Sequence, residues 1–160
     1  MFALKEITAT DKAELYRELL EQARGLLHGE RDLIANAANF SALLYYGLAD
    51  VNWVGFYFLK GQELVVGPFQ GKPACVRIAL GKGVCGIAAA RREALVVPDV
   101  NEFPGHIFCD TASRSEVVTP LLQGKSVLGV LDIDSPHTGR FDAEDQAGLE
   151  RLAQAFMSSL

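Results

Sequence analysis

Two apolar runs, Val117–Leu122 and Val127–Ile133, flank Gly124-Lys125, and no other stretch limits the possible folds as strongly. Apolar segments of strand length around a glycine-led turn form an antiparallel hairpin. Glycine at the first loop position suits a II′ turn, and that two-residue loop sets Glu116 and Asp132 on opposite faces. A three-residue loop, Gln123 to Lys125, places them directly opposite each other, and a bulge would reconcile the two registers. Asp132 and Asp134 are two residues apart and share a face in either case. Like charges opposite each other destabilise a sheet, so a cluster of the three acids needs a cation or protons held at raised pKa. The alternative is that the acids turn outward at the sheet end.

The rest of the chain alternates in the same legible way. Thr10 or Asp11 caps a helix through about residue 27, with Leu15, Leu19, Leu20, Ala23 and Leu27 at helical spacing. A second helix starts near Asp32, carries Leu33, Ala37, Phe40 and Leu44, and ends near Gly47. In the strand Asn52–Leu59, Trp53, Gly55 and Tyr57 share one face, and Val54, Phe56 and Phe58 the other. Lys60-Gly61-Gln62 turns the chain into a short strand, Glu63–Val66, stopped by Gly67-Pro68. Ala74–Leu80 reads as a third strand, Val84–Arg91 as a short helix and Ala94–Val97 as a fourth strand. Asp142 caps a last helix with Leu149, Leu152, Ala153, Phe156 and Leu160 on its stripe. The order gives an α+β fold with a mainly antiparallel sheet, in a single domain over the 160 residues.

A net charge of −5 and a pI near 5.2 argue against nucleic acid or an anionic membrane as the main partner. The start, Met-Phe-Ala-Leu-Lys-Glu, meets charge too early for a signal-peptide core, and Ser41, Gly47, Asp50 and Asn52 break the most apolar region. These features point to a cytoplasmic protein.

The chemistry concentrates between Pro104 and Glu116. A thiol (Cys109), an imidazole (His106), a guanidinium (Arg114) and two carboxylates (Asp110, Glu116) crowd a segment with little apolar content between strand-like neighbours. A thiol beside cationic groups has a lowered pKa and reacts as thiolate; otherwise it is a small buried hydrophobe. The three cysteines, 75, 85 and 109, include no Cys-x-x-Cys pair. Zinc held by His106, Cys109, Cys75 and Cys85 is the metal alternative, but the spacing argues against it and no metal is expected. Trp53 and Tyr57 flank Gly55, leaving a gap between aromatic walls that suits an apolar or sulfur-bearing group; two such strand aromatics are more often plain core.

Taken together, Asn52-Trp53-Val54-Gly55-Phe56-Tyr57, Gly67 to Cys75, Gly81-Lys82-Gly83-Val84-Cys85-Gly86, Val97-Pro98-Asp99-Val100, Phe103 to Ile107, Cys109-Asp110, Ser113 to Glu116 and Leu131 to Pro136 resemble the free methionine-(R)-sulfoxide reductases. Those enzymes are stand-alone GAF domains. Phe108, Ile87 and Thr111 depart from the pattern, which has Ala, Thr and Ser there. The resemblance implies a GAF fold with helices on both sides of the sheet, a homodimer, and a thiol cycle recycled by thioredoxin without a bound cofactor. It also implies Cys109 as nucleophile, Cys75 as resolving partner and Cys85 as a third cysteine. Cys85 near the start of a helix is the alternative nucleophile on dipole grounds. In that reaction Glu116, Asp132 and Asp134 would bind the substrate, Glu116 being the preferred proton donor, and Trp53 with Tyr57 would hold its methyl group. A non-catalytic GAF sensor of a small ligand or of redox state is the other reading, although such modules usually sit beside an effector domain for which 160 residues leave no room.

Overall fold

Asp11 and Asp32 each accept a hydrogen bond at 2.8 Å from a backbone N–H three residues on, opening α1 (Lys12–Leu27) and α2 (Leu33–Gly47). The structure is a computed structural model and describes residues 3–160; Met1 and Phe2, which begin the charge-interrupted start, lie outside the described residues. Between these helices and the last one run β1 (Trp53–Lys60), β2 (Glu63–Gly71), β3 (Arg77–Ala79), α3 (Gly83–Arg91), β4 (Leu95–Val97), β5 (Ser115–Gln123) and β6 (Ser126–Ser135). The final helix, α4 (Ala143–Met157), begins in a capping box made by Asp142 and Asp145. Leu160 lies beyond the end of α4 and is exposed, so it does not extend the apolar stripe as its spacing suggested.

The strands form one sheet in the order β3-β2-β1-β6-β5-β4, with every neighbouring pair antiparallel. One face carries the larger core, where α2 and α4 cover the sheet and α1 packs on α4. Phe40, Phe56 and Phe156 meet there with ring centroids 4.7–6.0 Å apart. Each buried ring contributes roughly 1.5–3 kcal/mol. On the opposite face α3 is the covering helix, over Trp53, Tyr57, Val118 and Val130. The period-2 alternation of β1 divides its residues between these cores as expected.

Two bulges correct the expected strands. Gly67-Pro68 does not end β2, which runs on to Gly71. The β1–β2 register slips between Gly55↔Phe69 and Tyr57↔Val66, so Gly67 and Pro68 fall in a bulge where the ladder needs no proline N–H. The third strand is shorter than expected, only Arg77–Ala79. In the second hairpin Gln123 pairs with Ser126 across a two-residue loop, with Gly124 at φ 60° as a II′ turn requires. A further slip between Leu121↔Gly129 and Leu122↔Val127 then adds one residue on β6. The outcome is Glu116 opposite Asp134, with Val118 opposite Asp132, so neither simple loop describes the register.

Candidate active site

That single bulged residue puts Glu116, Asp132 and Asp134 on the same face as α3. β1 completes the row, since Trp53 pairs with Asp134 and Gly55 with Asp132. The acids therefore stand beside the two aromatics at one end of three central strands. Asp132 and Glu116 are 6% and 5% exposed, and Asp134 is partly buried. Burial raises the pKa of all three well above the ordinary carboxylate range. Asp134 adds to the effect on Glu116, Glu116 to that on Asp132, and Asp132 with Asp110 to that on Asp134. Asp132 Oδ1 is buried without a hydrogen-bond partner.

The aromatic pair does not leave the open gap that its spacing suggested. A Cβ at Gly55 would lie 2.3 Å from Phe69 Cβ and 2.7 Å from the Trp53 ring, because the indole lies over the glycine. Trp53 stacks between Tyr57 and Phe69, with centroids 5.7 and 5.2 Å away. The pair makes a wall instead of a slot, and its polar tips tie down the segment bearing Cys75. Trp53 Nε1 donates to Lys72 O at 3.1 Å, and Tyr57 Oη donates to Cys75 O at 3.0 Å.

Cys75 and Cys109 are joined in a disulfide, with Cα atoms 5.2 Å apart. Both are thereby unavailable to the four-ligand zinc set. Cys85 is a free, buried thiol on α3 and donates to Glu116 Oε1 at 3.8 Å. The helix-dipole expectation for it is reversed: burial, then Asp132 and Glu116, push its pKa well above the usual thiol value. The few free N–H groups at the start of α3 do not outweigh burial and two neighbouring acids. Cys85, Glu116 and Asp132 each present one ligand atom, all within 4.8 Å of one another. Such a set can surround a cation, and a small molecule's ammonium answers the need as a metal ion would.

His106 completes the site, and the sequence assigns it no role in the reaction. Its Nε2 lies 3.1 Å from Glu116 Oε2, and both side chains are 7% exposed. Loop position concealed it: only its neighbourhood to Cys109, three residues away, signalled a site residue. Asn52 was missed too; its Nδ2 donates to Asp110 Oδ2 at 3.3 Å and to Ser113 Oγ at 3.2 Å, bracing the loop that leads into β5.

Trp53, Tyr57, Cys85, Cys109, Glu116, Asp132 and Asp134 all line one cavity of about 30 Å³. Cys75, bonded to Cys109, is not among the residues that line it. In this disulfide form the volume admits an occupant the size of water but not an amino acid.

Similarity to known proteins agrees with this assembly. The family described as GAF domain matches residues 11–160. The free methionine-R-sulfoxide reductase of Escherichia coli (strain K12) is 52% identical over 142 residues, 89% of this chain and 86% of that protein. The chain belongs to the GAF-domain family of free methionine-R-sulfoxide reductases. This GAF domain also superposes, with a TM-score of 0.95 and 45% identity, on the Neisseria meningitidis free methionine-R-sulfoxide reductase solved in complex with its substrate. The match covers 99% of this chain and 95% of that one. A Burkholderia vietnamiensis structure described as a GAF sensor protein is 62% identical over 92% of this chain and 94% of its own, with a TM-score of 0.90. Among the described residues no helix is long and apolar enough to cross a membrane.

Proposed function

We propose that this chain reduces free L-methionine-(R)-sulfoxide to methionine in a thiol cycle. The observation that carries the reading is the shared cavity: Cys109 opens on the same space as three acids whose pKa values burial raises and an aromatic wall. Cys109 attacks as thiolate on the sulfoxide sulfur while Glu116 gives a proton to the departing oxygen. The sulfoxide sulfur gains two electrons, Cys109 loses two, and the products are methionine and a sulfenic acid on Cys109. The Cys75 thiol displaces hydroxyl from that sulfur, releasing water and forming the disulfide. An external dithiol such as thioredoxin restores both thiols, and the cycle needs neither metal nor bound cofactor.

Cys109 is the nucleophile because it alone of the bonded pair lines the cavity. Cys85, its proton held by burial and two acids, is a poor thiolate at neutral pH. The substrate ammonium is placed at Asp132 and Asp134, and Trp53 with Tyr57 packs its S-methyl end. Such a cycle suits a reducing, cytoplasmic setting, and a homodimer is the assembly the family resemblance implies.

The sensor reading draws on the Burkholderia vietnamiensis relative's description. A single-turnover experiment separates the two. Pre-reduced protein, freed of reductant and given the (R) epimer, should yield one methionine per chain and the Cys75–Cys109 disulfide. A sensor would bind the molecule and yield none; dominant linkage through Cys85 would overturn the assignment of thiols.

A further inference from the structure

His106 has no part in the cycle above, yet it touches the proposed acid. It sits on the loop that carries Cys109, after the turn made by Gly105 at φ 76°, and its backbone N–H donates to Phe103 O at 3.2 Å. Ile107 anchors the same turn on α3, where a Cβ at Gly83 would come within 3.0 Å of its side chain. The imidazole is thus delivered to Glu116 by a braced segment. Its outer side is covered by Phe108, whose ring meets it edge-on at a centroid distance of 4.6 Å. Phe108 is itself 55% exposed and contributes little obvious core packing.

We propose that His106, shielded by Phe108, is a positioning residue that holds Glu116 as an uncharged imidazole. The proposal rests on the reading of Glu116 as proton donor. Its Nε2 pins Oε2 while the Cys85 thiol meets Oε1, so the carboxyl is gripped from both sides and its rotation in the pocket is fixed. Neutrality is the second half of the role. An imidazolium 3.1 Å from the carboxyl would draw off the proton that Glu116 must give to the sulfoxide. Burial lowers the His106 pKa, which supports the neutral form. The other groups facing Glu116 are Asp132 and Asp134 from β6 and Cys85 from α3, with Asp110 beyond Asp134; none is a cation.

Three substitutions, two of them also combined, and one spectrum test this. His106→Ala should lower kcat by about 10–100-fold with KM little changed, the usual scale for losing a group that orients a reacting one. His106→Gln keeps a donor and cannot become charged, so it should recover most of that loss. Phe108→Ala should let the pair carry its shared proton on the imidazole. Its rate at pH 7–8 then falls about tenfold and recovers relative to wild type as acid adds a second proton to Glu116. In a His106→Gln background the same Phe108→Ala change should have no such effect. NMR of the ring nitrogens should show a neutral His106 at pH 7 in the wild type and a charged one in Phe108→Ala. An unchanged kcat in His106→Ala, a charged wild-type imidazole, or a Phe108→Ala loss that persists in the His106→Gln background would each overturn the proposal. The spectrum needs no turnover, so failure of the sulfoxide activity and failure of this role are told apart.

Discussion

Asp132→Asn should make the resting protein less sensitive to alkali, and the size of the effect follows from the acid cluster. Asp132, Glu116 and Asp134 have folded pKa values raised by burial and by one another, so the folded chain keeps protons that the unfolded chain releases. Stability is then fully present below the ordinary carboxylate range and falls as pH rises toward the raised folded values. Each retained proton costs about 1.4 kcal/mol per pH unit. For a domain of this length that is a drop in Tm of roughly 3–6 °C per unit. The informative window is pH 7–8.5. His106, with its lowered folded pKa, raises stability with pH only up to its unfolded value near 6.5 and is silent above it. Cys85 and Tyr57 are raised from thiol and phenol values that lie above the window. Between pH 7 and 8.5 a proton held throughout amounts to at most about 2 kcal/mol, and the amide of Asp132→Asn removes one titrating member. Urea unfolding of the disulfide form across this window should therefore show a steeper loss in the wild type, by up to that amount. Parallel profiles for the two proteins, or wild-type stability that rises with pH, would refute a cluster that holds its protons.

Asp134→Asn should chiefly raise KM, by about tenfold or more for a lost charge-assisted hydrogen bond, whereas Glu116→Gln should chiefly lower kcat by about 10²–10⁴-fold; the reverse partition would exchange their roles. Calorimetry should find sulfoxide binding to a Cys109→Ser variant, which cannot close the disulfide, and none to the oxidised wild type, whose cavity is about 30 Å³; equal binding would show that the disulfide does not shut the site. Turnover should survive exhaustive chelation, and activity that vanished and returned with zinc would show that the Cys85–Glu116–Asp132 group is a metal seat.

Much of this was legible in one dimension. Aspartates 11, 32 and 142 declare helix starts because a short carboxylate reaches the backbone N–H groups of the next turn. The strict alternation of β1 declares which residues meet α3 because strand side chains have no third direction. Bulges were not legible. Gly67-Pro68 reads locally as a stop, and only pairing with β1 shows that the extra residue is absorbed. Likewise Gly124-Lys125 gives the turn, but the slip at Leu121–Leu122 that gathers the acids depends on how β6 lies against β1. Packing across the sheet also decided what Gly55 is for: it makes room for the Trp53 indole to lie flat, which spacing alone read as an open gap. Cys85 shows local and tertiary effects in opposition, with its burial and then the neighbouring acids outweighing the helix start. His106 came from a loop, where no periodicity marks which side chains point inward.

Reading the ammonium of a free amino acid is the task proposed for the acid cluster. A neutral amide in its place would leave Asp132 and Asp134 unpaired, and charge-assisted hydrogen bonds to such groups are worth roughly 1.5–3 kcal/mol each. The direct measurement is kcat/KM for free methionine-(R)-sulfoxide and for its N-acetylated form, under one external dithiol. The free form should be favoured by several powers of ten, and Asp134→Asn should erase much of that preference. Comparable kcat/KM for the two substrates in the wild type would contradict the account.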